Sequence, residues 1–325
     1  MQDQNGDTVL HYAARSGKIE CVEMILSLYP ESERLPAVKL QNHERETVLH
    51  CAAKSGNFET FKFILSLYPE SERLQAVSKK SKWRQSVLHC VAESQNPDHS
   101  SKLECVKKIL ALYPESELFQ IVCMTDRRSQ TVLHRAGVNG DHEIVKYIMS
   151  VLSDSQRFQI VTMKDNDGYT LLHRSAQQQS DNHELIESVL TSLPESERVN
   201  LVSMQDHVGE TALHCVANKG HLKSIKCLLG LLPEESRLQV VCLRDRYGNT
   251  ALHEAASRCS KNTAAAVKYI LELLPASQRS DAVNVKNNQG KTVMNLLIER
   301  GCDSILDLEF WSKAITSQCT GNCKN

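Results

Sequence analysis

The chain has 325 residues, with 38 Lys+Arg against 39 Asp+Glu, a formal net charge of -1 and only 5% aromatic residues. That balance excludes a globally basic nucleic-acid binder and a polybasic membrane-surface protein, so any electrostatic recognition has to be local. No apolar run approaches the ~18 residues of a membrane span, and the first residues, Met-Gln-Asp-Gln-Asn-Gly-Asp, lack the basic-then-apolar pattern of a secretory signal. The 12 Cys are scattered, mostly within expected helices, and no C-x-x-C pair occurs. Scattered thiols without a signal favour a reducing, cytoplasmic setting.

The dominant feature is periodicity. A Thr or Ser recurs at Thr8, Thr47, Ser86, Thr131, Thr170, Thr211, Thr250 and Thr292, in steps of 39, 39, 45, 39, 41, 39 and 42 residues. Such spacing along a whole chain marks an array, which has no single central core. In chain order, each unit opens on a polar turn, often Asp-x-x-Gly-x, as at Asp3–Asp7, Asp165–Tyr169, Asp206–Glu210 and Asp245–Asn249. The Thr follows and is expected to cap a short helix, its hydroxyl accepting an N–H of the first turn. That helix reads Leu-His-x-Ala-Ala, as in Leu10–Ala14 and Leu49–Ala53. It ends at a glycine in several units (Gly17, Gly56, Gly140, Gly220, Gly301). A second amphipathic helix follows, with apolar residues at i, i+3, i+4, as in Val22, Ile25 and Leu26.

A second refrain comes next: LYPESERLPAV at 28–38, LYPESERLQAV at 67–77, LYPESELFQIV at 112–122, VLSDSQRFQIV at 151–161, SLPESERVNLV at 192–202, LLPEESRLQVV at 231–241 and LLPASQRSDAV at 273–283. Pro followed by acidic residues suits a helix first turn, so the refrain predicts an extra short helix per unit, with its Leu and Val against the stack. Repeat 8 loses the His to Asn295, and Ile305–Lys313, with Leu306, Leu308, Phe310 and Trp311, reads as a degenerate C-terminal cap. Repeat 1 opens directly on the full motif. Its stacking face is then exposed, or the chain is a piece of a longer array.

The Thr-x-Leu-His-x-Ala-Ala unit, with two helices and a polar hairpin, resembles the ankyrin repeat, whose signature is T-P-L-H-x-A at a period of about 33 residues. The resemblance covers essentially the whole chain. It departs in two ways. The Pro is replaced in every unit (Val9, Val48, Val87, Val132, Leu171, Ala212, Ala251, Val293), and the basic period is 39. The PESER-type refrain occupies the excess. The expected fold is all-α: a helical solenoid of about eight repeats with projecting fingers and an extra short helix. The array is expected over residues 1–315, in repeats at 3–38, 42–77, 81–122, 126–161, 165–202, 206–241, 245–283 and 287–313, with a flexible tail at 316–325. Extra polar residues at Asn96–Lys102, Gln177–Asn182 and Cys259–Thr263 read as tolerated surface loops.

Candidate chemistry is thin. The histidines His11, His50, His89, His134, His173, His214 and His253 recur with the repeat, so together with Thr8, Thr47, Ser86, Thr131, Thr170, Thr211 and Thr250 they read as structural. The resemblance implies the same, a hydrogen-bonding His that joins the Thr to neighbouring backbone. His142-Glu143, His183-Glu184 and His253-Glu254 lack the second His of a zinc-protease helix. Cys319-x-x-x-Cys323 is the nearest approach to a zinc pair and lacks partners. No phosphate-cradling Gly-rich loop and no Gly-x-Ser-x-Gly occurs. No enzyme, metal or cofactor is therefore expected. Asp245, His253 and Glu254 lie close in sequence but read as scaffolding, because the repeat copies their setting.

What remains is a binding surface. In the family this chain resembles, partners contact the finger tips and the adjoining concave inner-helix face. Here repeats 2, 3 and 4 replace the finger glycine with Arg45, Arg84 and Ser129. The repeat 3 finger reads Lys79-Lys80-Ser81-Lys82-Trp83-Arg84, and repeat 4 adds Arg127 and Arg128. Trp and Arg dominate interface energetics. The expected function is a non-enzymatic protein-interaction scaffold, a monomer whose basic finger meets an acidic protein segment, with no nucleic acid and no membrane insertion. Two further readings stay open: an adaptor or secreted effector recruiting a client to an enzyme complex, in the host cytosol, and a thiol-based redox-sensing array.

Overall fold

The structure, a computed structural model, describes residues 2–258 and 260–301. The expected cap at Ile305–Lys313 and the tail lie outside these residues. Among the described residues there are 22 helices and no named strand, with isolated antiparallel bridges at Gln41↔Thr47, Lys80↔Ser86 and Gln205↔Thr211 closing finger bases. No described helix is long and apolar enough to cross a membrane. The chain divides into two compact units, Met1–Gln156 and Arg157–Asn325.

Each full repeat contributes three helices. Repeat 1 has Val9–Ser16, Ile19–Ser27 and Glu31–Lys39; repeat 6 has Ala212–Lys219, Leu222–Gly230 and Glu234–Val241. Within each unit like packs on like: first helices stack on first helices and second on second. The first helix is short and slim because its buried face carries Leu and Ala, such as Leu10, Ala13 and Ala14, or Leu49, Ala52 and Ala53. Burying each Leu contributes about 1.5–3 kcal/mol, and the Ala side chains let neighbouring backbones approach. Gly17, Gly56, Gly140 and Gly220 end four of these helices in the left-handed conformation.

The third helix is the refrain, as expected. Its proline is the N-cap (Pro30, Pro69, Pro114, Pro194, Pro233, Pro275), and acidic residues occupy the first turn of most copies. Its last Val is buried in every copy: Val38, Val77, Val122, Val161, Val202, Val241 and Val283. Its Arg has a role the sequence reading does not assign. Arg34, Arg73, Arg198 and Arg279 donate Nε to the carbonyls of Tyr29, Tyr68, Leu193 and Leu274, and Arg237 to that of Leu229. Carbonyls at and just beyond a helix end have no intrahelical donor, and the Arg supplies one.

The repeated His joins one repeat to the next. Nδ1 of His11, His50, His134, His173, His214 and His253 accepts the backbone N–H of the Thr three residues earlier, at 3.1–3.3 Å. A nitrogen that accepts from a backbone N–H carries no proton, so the hydrogen sits on Nε2. Nε2 then donates to a backbone carbonyl of the following finger: His11 to Glu46, His50 to Lys79 and His89 to Gln130 in the first unit; His173 to Glu210, His214 to Asn249 and His253 to Lys291 in the second. The Thr hydroxyl differs from expectation in its main partner. A reciprocal capping box is present, but the bond from the His134 N–H to Thr131 Oγ1 is long at 3.5 Å. The shorter contact, 2.8 Å, runs from Thr131 Oγ1 to His134 Nδ1.

Two of the three polar insertions are structural ties rather than loops, which corrects the reading of tolerated surface material. In repeat 3 the second helix, His99–Leu110, begins inside the insertion, and Ser101 Oγ accepts the Phe58 N–H at 2.7 Å, serving the helix of the repeat before. Lys102 is only 2% exposed and pairs with the buried Asp141 at 2.6 Å; His99 also contacts that carboxylate. In repeat 5, Asp181 accepts the Lys223 and Ser224 N–H groups at 3.0 Å each, serving the helix of the repeat after. A polar side chain can fill the unsatisfied donors of a neighbouring helix start.

Burial holds the imidazoles neutral, pushing His50, His89 and His173 down to about 4, and lowers His11, His214 and His253 as well. The unfolded chain, with ordinary His pKa values near 6.5, binds more protons below that pH, so stability is full above about 6.5 and is lost as pH falls toward 4. Urea unfolding at pH 7 and pH 5 should show a clearly lower midpoint at pH 5, reversed by returning to neutral pH. Lys102→Met should cost about 3–5 kcal/mol by stranding the Asp141 carboxylate, and the double replacement Lys102→Met/Asp141→Leu should recover most of that loss.

Candidate functional site: the finger row

All eight fingers are built the same way. The first residue of each accepts two backbone N–H groups, two and four residues on. Asp126 Oδ1 takes those of Arg128 and Gln130, Ser81 Oγ those of Trp83 and Gln85, and Asp245 Oδ1 those of Tyr247 and Asn249. Such Asx-type closure fixes the tip without a sheet. Successive fingers then bond through backbone. In the first unit His43 N donates to Asn5 O, Lys82 N to Glu44 O and Arg127 N to Trp83 O, at 2.7–3.0 Å. In the second, Arg246 N donates to Val208 O and Asn288 N to Tyr247 O, both at 2.9 Å.

The tip requires one residue at positive φ. Five fingers use glycine there, and at Gly6 or Gly168 an added Cβ would lie 2.8 Å from the backbone nitrogen of His43 or His207. Arg45, Arg84 and Ser129 occupy the same place at φ 60°, 60° and 58°, and they are the positive-φ non-glycine residues among those described. A non-glycine residue in this region costs about 1–2 kcal/mol. Strained backbone of this kind concentrates at binding and active sites.

The structure brings Arg45, Lys82, Trp83, Arg84, Arg127 and Arg128 to exposed finger positions and leaves Lys79 and Lys80 half-buried at the finger base. Trp83 is 50% exposed, and the Arg127 guanidinium lies over its ring at 5.6 Å. Lys82 pairs with Glu44 at 3.4 Å, whereas Arg45, Lys79, Lys80, Arg84 and Arg128 form no ion pair among the described residues. Trp83 also lines a cleft of about 400 Å³ between fingers and first helices, with Asn5, Asp7, Arg15, Glu44, Glu46 and Lys54. The charges on the cleft floor are mutually compensated: Arg15 lies 3.5 Å from both Asp7 and Glu46, and Lys54 pairs with Glu46.

The residue after each His decides what the finger carboxylate meets. Asp126 Oδ2 receives Arg135 Nη2 at 2.6 Å, and Asp165 Oδ2 receives Arg174 Nε at 2.7 Å; Asp3 Oδ2 receives the Tyr12 hydroxyl at 2.7 Å. In repeats 6 and 7 the corresponding residues are Cys215 and Glu254, so no guanidinium arrives. Glu210, Asp245 and Glu254 gather there with carboxylate oxygens within 4.8 Å of one another. Burial and the neighbouring carboxylates raise Glu210 to about 7. A raised carboxyl stabilises below its ordinary 4.5 and loses that contribution as pH rises through 7, opposite in sign to the histidines. This cluster was missed in the sequence, although the signal was there: nine residues after each finger Asp or its substitute come Tyr12, Cys51, Cys90, Arg135, Arg174, Cys215 and Glu254.

Among the described residues, the buried thiols sit poorly for redox sensing. Burial raises Cys51 and Cys105 to about 12 and Cys123 and Cys227 to about 11, and pushes Cys90 and Cys215 further still. A buried protonated thiol is a poor nucleophile.

The strain at the finger tips is measurable. Arg45→Gly and Arg84→Gly should each stabilise the protein by up to about 1 kcal/mol, seen as a later urea midpoint. Gly168→Ala should lower the midpoint, since its Cβ would meet His207. An unchanged midpoint in both arginine variants would show that these tips carry no strain.

The family model for ankyrin repeats (3 copies) matches residues 1–73 and 179–273, just over half of the chain. No curated protein sequence matches it. Among solved structures, the ankyrin repeat domain of Bcl-3, described as a unique member of the IkappaB protein family, is similar at a TM-score of 0.49 and 18% identity, covering 77% of this chain and 94% of that one. With helical repeats carrying the Thr-x-Leu-His motif and a family model matched over just over half of its residues, the chain belongs to the ankyrin-repeat family.

Proposed function

We propose that the protein is a non-enzymatic recognition module whose fingers 2 to 4 bind an acidic segment of a partner protein. Ankyrin repeats are protein-interaction modules, and the finer reading rests on this chain's own fingers. The observation that carries it is the pair of left-handed arginines, Arg45 and Arg84. A glycine would relieve each tip, yet Trp83's own finger and the finger before it present guanidiniums instead.

The surrounding chemistry supports the same reading. The Trp83 ring is half exposed and held beneath Arg127, so it offers apolar area at little further ordering cost. Arg84 and Arg128 have no carboxylate partner within the described residues and can form bidentate bonds to one brought by a ligand. Lys82 would exchange Glu44 for the incoming segment, which favours a partner with more than one acidic residue.

The test begins with affinity capture and mass spectrometry, comparing wild type with Trp83→Ala. With the partner in hand, Trp83→Ala should lose about 2 kcal/mol of binding or more, as interface Trp hot spots do. The charge-reversed pair Lys82→Glu/Arg84→Glu should lose still more and respond less to salt. Unchanged affinity in the charge-reversed protein would sink the proposal.

A further inference from the structure

Of the eight residues at the third finger position, two are aromatic, Trp83 and Tyr247. Trp83 belongs to the basic fingers. Tyr247, on finger 7, does not, and it is 57% exposed. Its backbone is pinned on both sides: its N–H donates to Asp245 Oδ1 at 2.8 Å, and its carbonyl accepts the Asn288 N–H at 2.9 Å. Its hydroxyl accepts Arg246 Nη2 at 2.8 Å, and that guanidinium lies over the ring at 5.0 Å. A large exposed ring fixed in this way is a preorganised anchor, since little freedom remains to be lost on binding.

Tyr247 lines a cleft of about 230 Å³ between fingers 7 and 8 and the first helices behind them. Leu296 adds apolar surface, and the polar lining is mostly carboxamide, from Asn249, Asn287, Asn288 and Gln289. Among the described residues, no acid, lysine or arginine lines it, whereas Asp7, Arg15, Glu44, Glu46 and Lys54 line the cleft beside Trp83. Two of the amides are committed to the fold. Asn287 donates to Asn249 Oδ1 and accepts the Gln289 and Lys291 N–H groups, and Asn288 donates to the Arg246 carbonyl, all at 3.0 Å. Gln289 is exposed and, among the described residues, bonds only through its backbone N–H. Its carboxamide offers a C=O and an NH2, the acceptor and donor that a peptide unit also presents. A charged side chain entering this lining would lose water and meet no counter-charge. An apolar side chain gains contact with Tyr247 and Leu296 while its own main chain pairs with Gln289. The volume suits one such side chain rather than a small-molecule cofactor, whose sites run to about 300–1,000 Å³.

We propose that the cleft between fingers 7 and 8 is a second recognition site, which takes an uncharged, extended segment of a partner protein and seats one of its aromatic or aliphatic side chains against Tyr247 and Leu296. The site lies wholly in the second unit and does not depend on the basic fingers. The two sites read different chemistry: charge at fingers 2 to 4, and an apolar side chain with its peptide backbone at fingers 7 and 8.

Random peptides displayed on phage and selected on the full chain, then synthesised with blocked ends and titrated in a calorimeter, test this. A class of uncharged peptides sharing an aromatic or branched aliphatic residue should emerge. These should bind the charge-reversed Lys82→Glu/Arg84→Glu protein as tightly as wild type. Tyr247→Ala should weaken them at least about tenfold, and Tyr247→Phe, which keeps the ring, should stay within about threefold of wild type. Gln289→Ala should weaken them about threefold to tenfold. Ser257→Phe fills the cleft from the helix side, since Ser257 also lines it, and should abolish binding with Tyr247 in place. Urea midpoints establish that each variant is folded. The proposal is overturned if no uncharged class emerges, if that class is lost in the charge-reversed protein, or if it binds Tyr247→Ala and Ser257→Phe as tightly as wild type.

Discussion

The interaction on which the rest of each unit depends is the imidazole between a helix start and the next finger. Its Nδ1 takes the Thr backbone N–H, which forces the proton onto Nε2, and that proton goes to a carbonyl of the following repeat. Local capping and inter-repeat stacking are thus one side chain's two bonds. The first cannot form in the other tautomer, and the second cannot form unless the next finger is in register. Because burial keeps the ring neutral, the same contact resists both water and protonation.

With the fingers held this way, their variation becomes meaningful. Every tip closes through its first side chain, and within each unit successive tips bond through backbone, so side chains at the tip add chemistry rather than stability. Arg45 and Arg84 go further, occupying a conformation that disfavours them. The residue behind each finger varies independently. Tyr12, Arg135 and Arg174 satisfy the finger carboxylate, and Cys215 and Glu254 do not. The two fields of departure differ in sign: unpaired cations on fingers 2 to 4, and crowded carboxylates on fingers 6 and 7.

The third helix shows how a longer period is accommodated. Its proline starts it, its arginine takes up carbonyls at the end of the second helix, and its valine closes the core edge. The repeat has gained a segment that satisfies the backbone groups its own insertion would otherwise strand. The insertions in repeats 3 and 5 follow the same logic across a repeat boundary, through Ser101 on Phe58 and Asp181 on Ser224.

The sequence by itself determined the array, the helices of each repeat and the structural standing of the repeated Thr and His. All of these are periodic, and periodicity is local information copied many times. It also exposed Trp83 and its basic neighbours, since a departure from a repeat is visible without coordinates. Only the tertiary structure decided that Lys102 is buried on Asp141, that the refrain's arginine binds carbonyls of the preceding helix end, and that Glu210 meets Glu254. Each is a contact between residues separated by 5 to 44 positions, set by how one element leans on another. The handedness at Arg45 and Arg84 stands between the two. The missing glycine is written in the chain, but whether an arginine there bends the finger or bears the strain is settled by the neighbouring finger, which fixes the backbone.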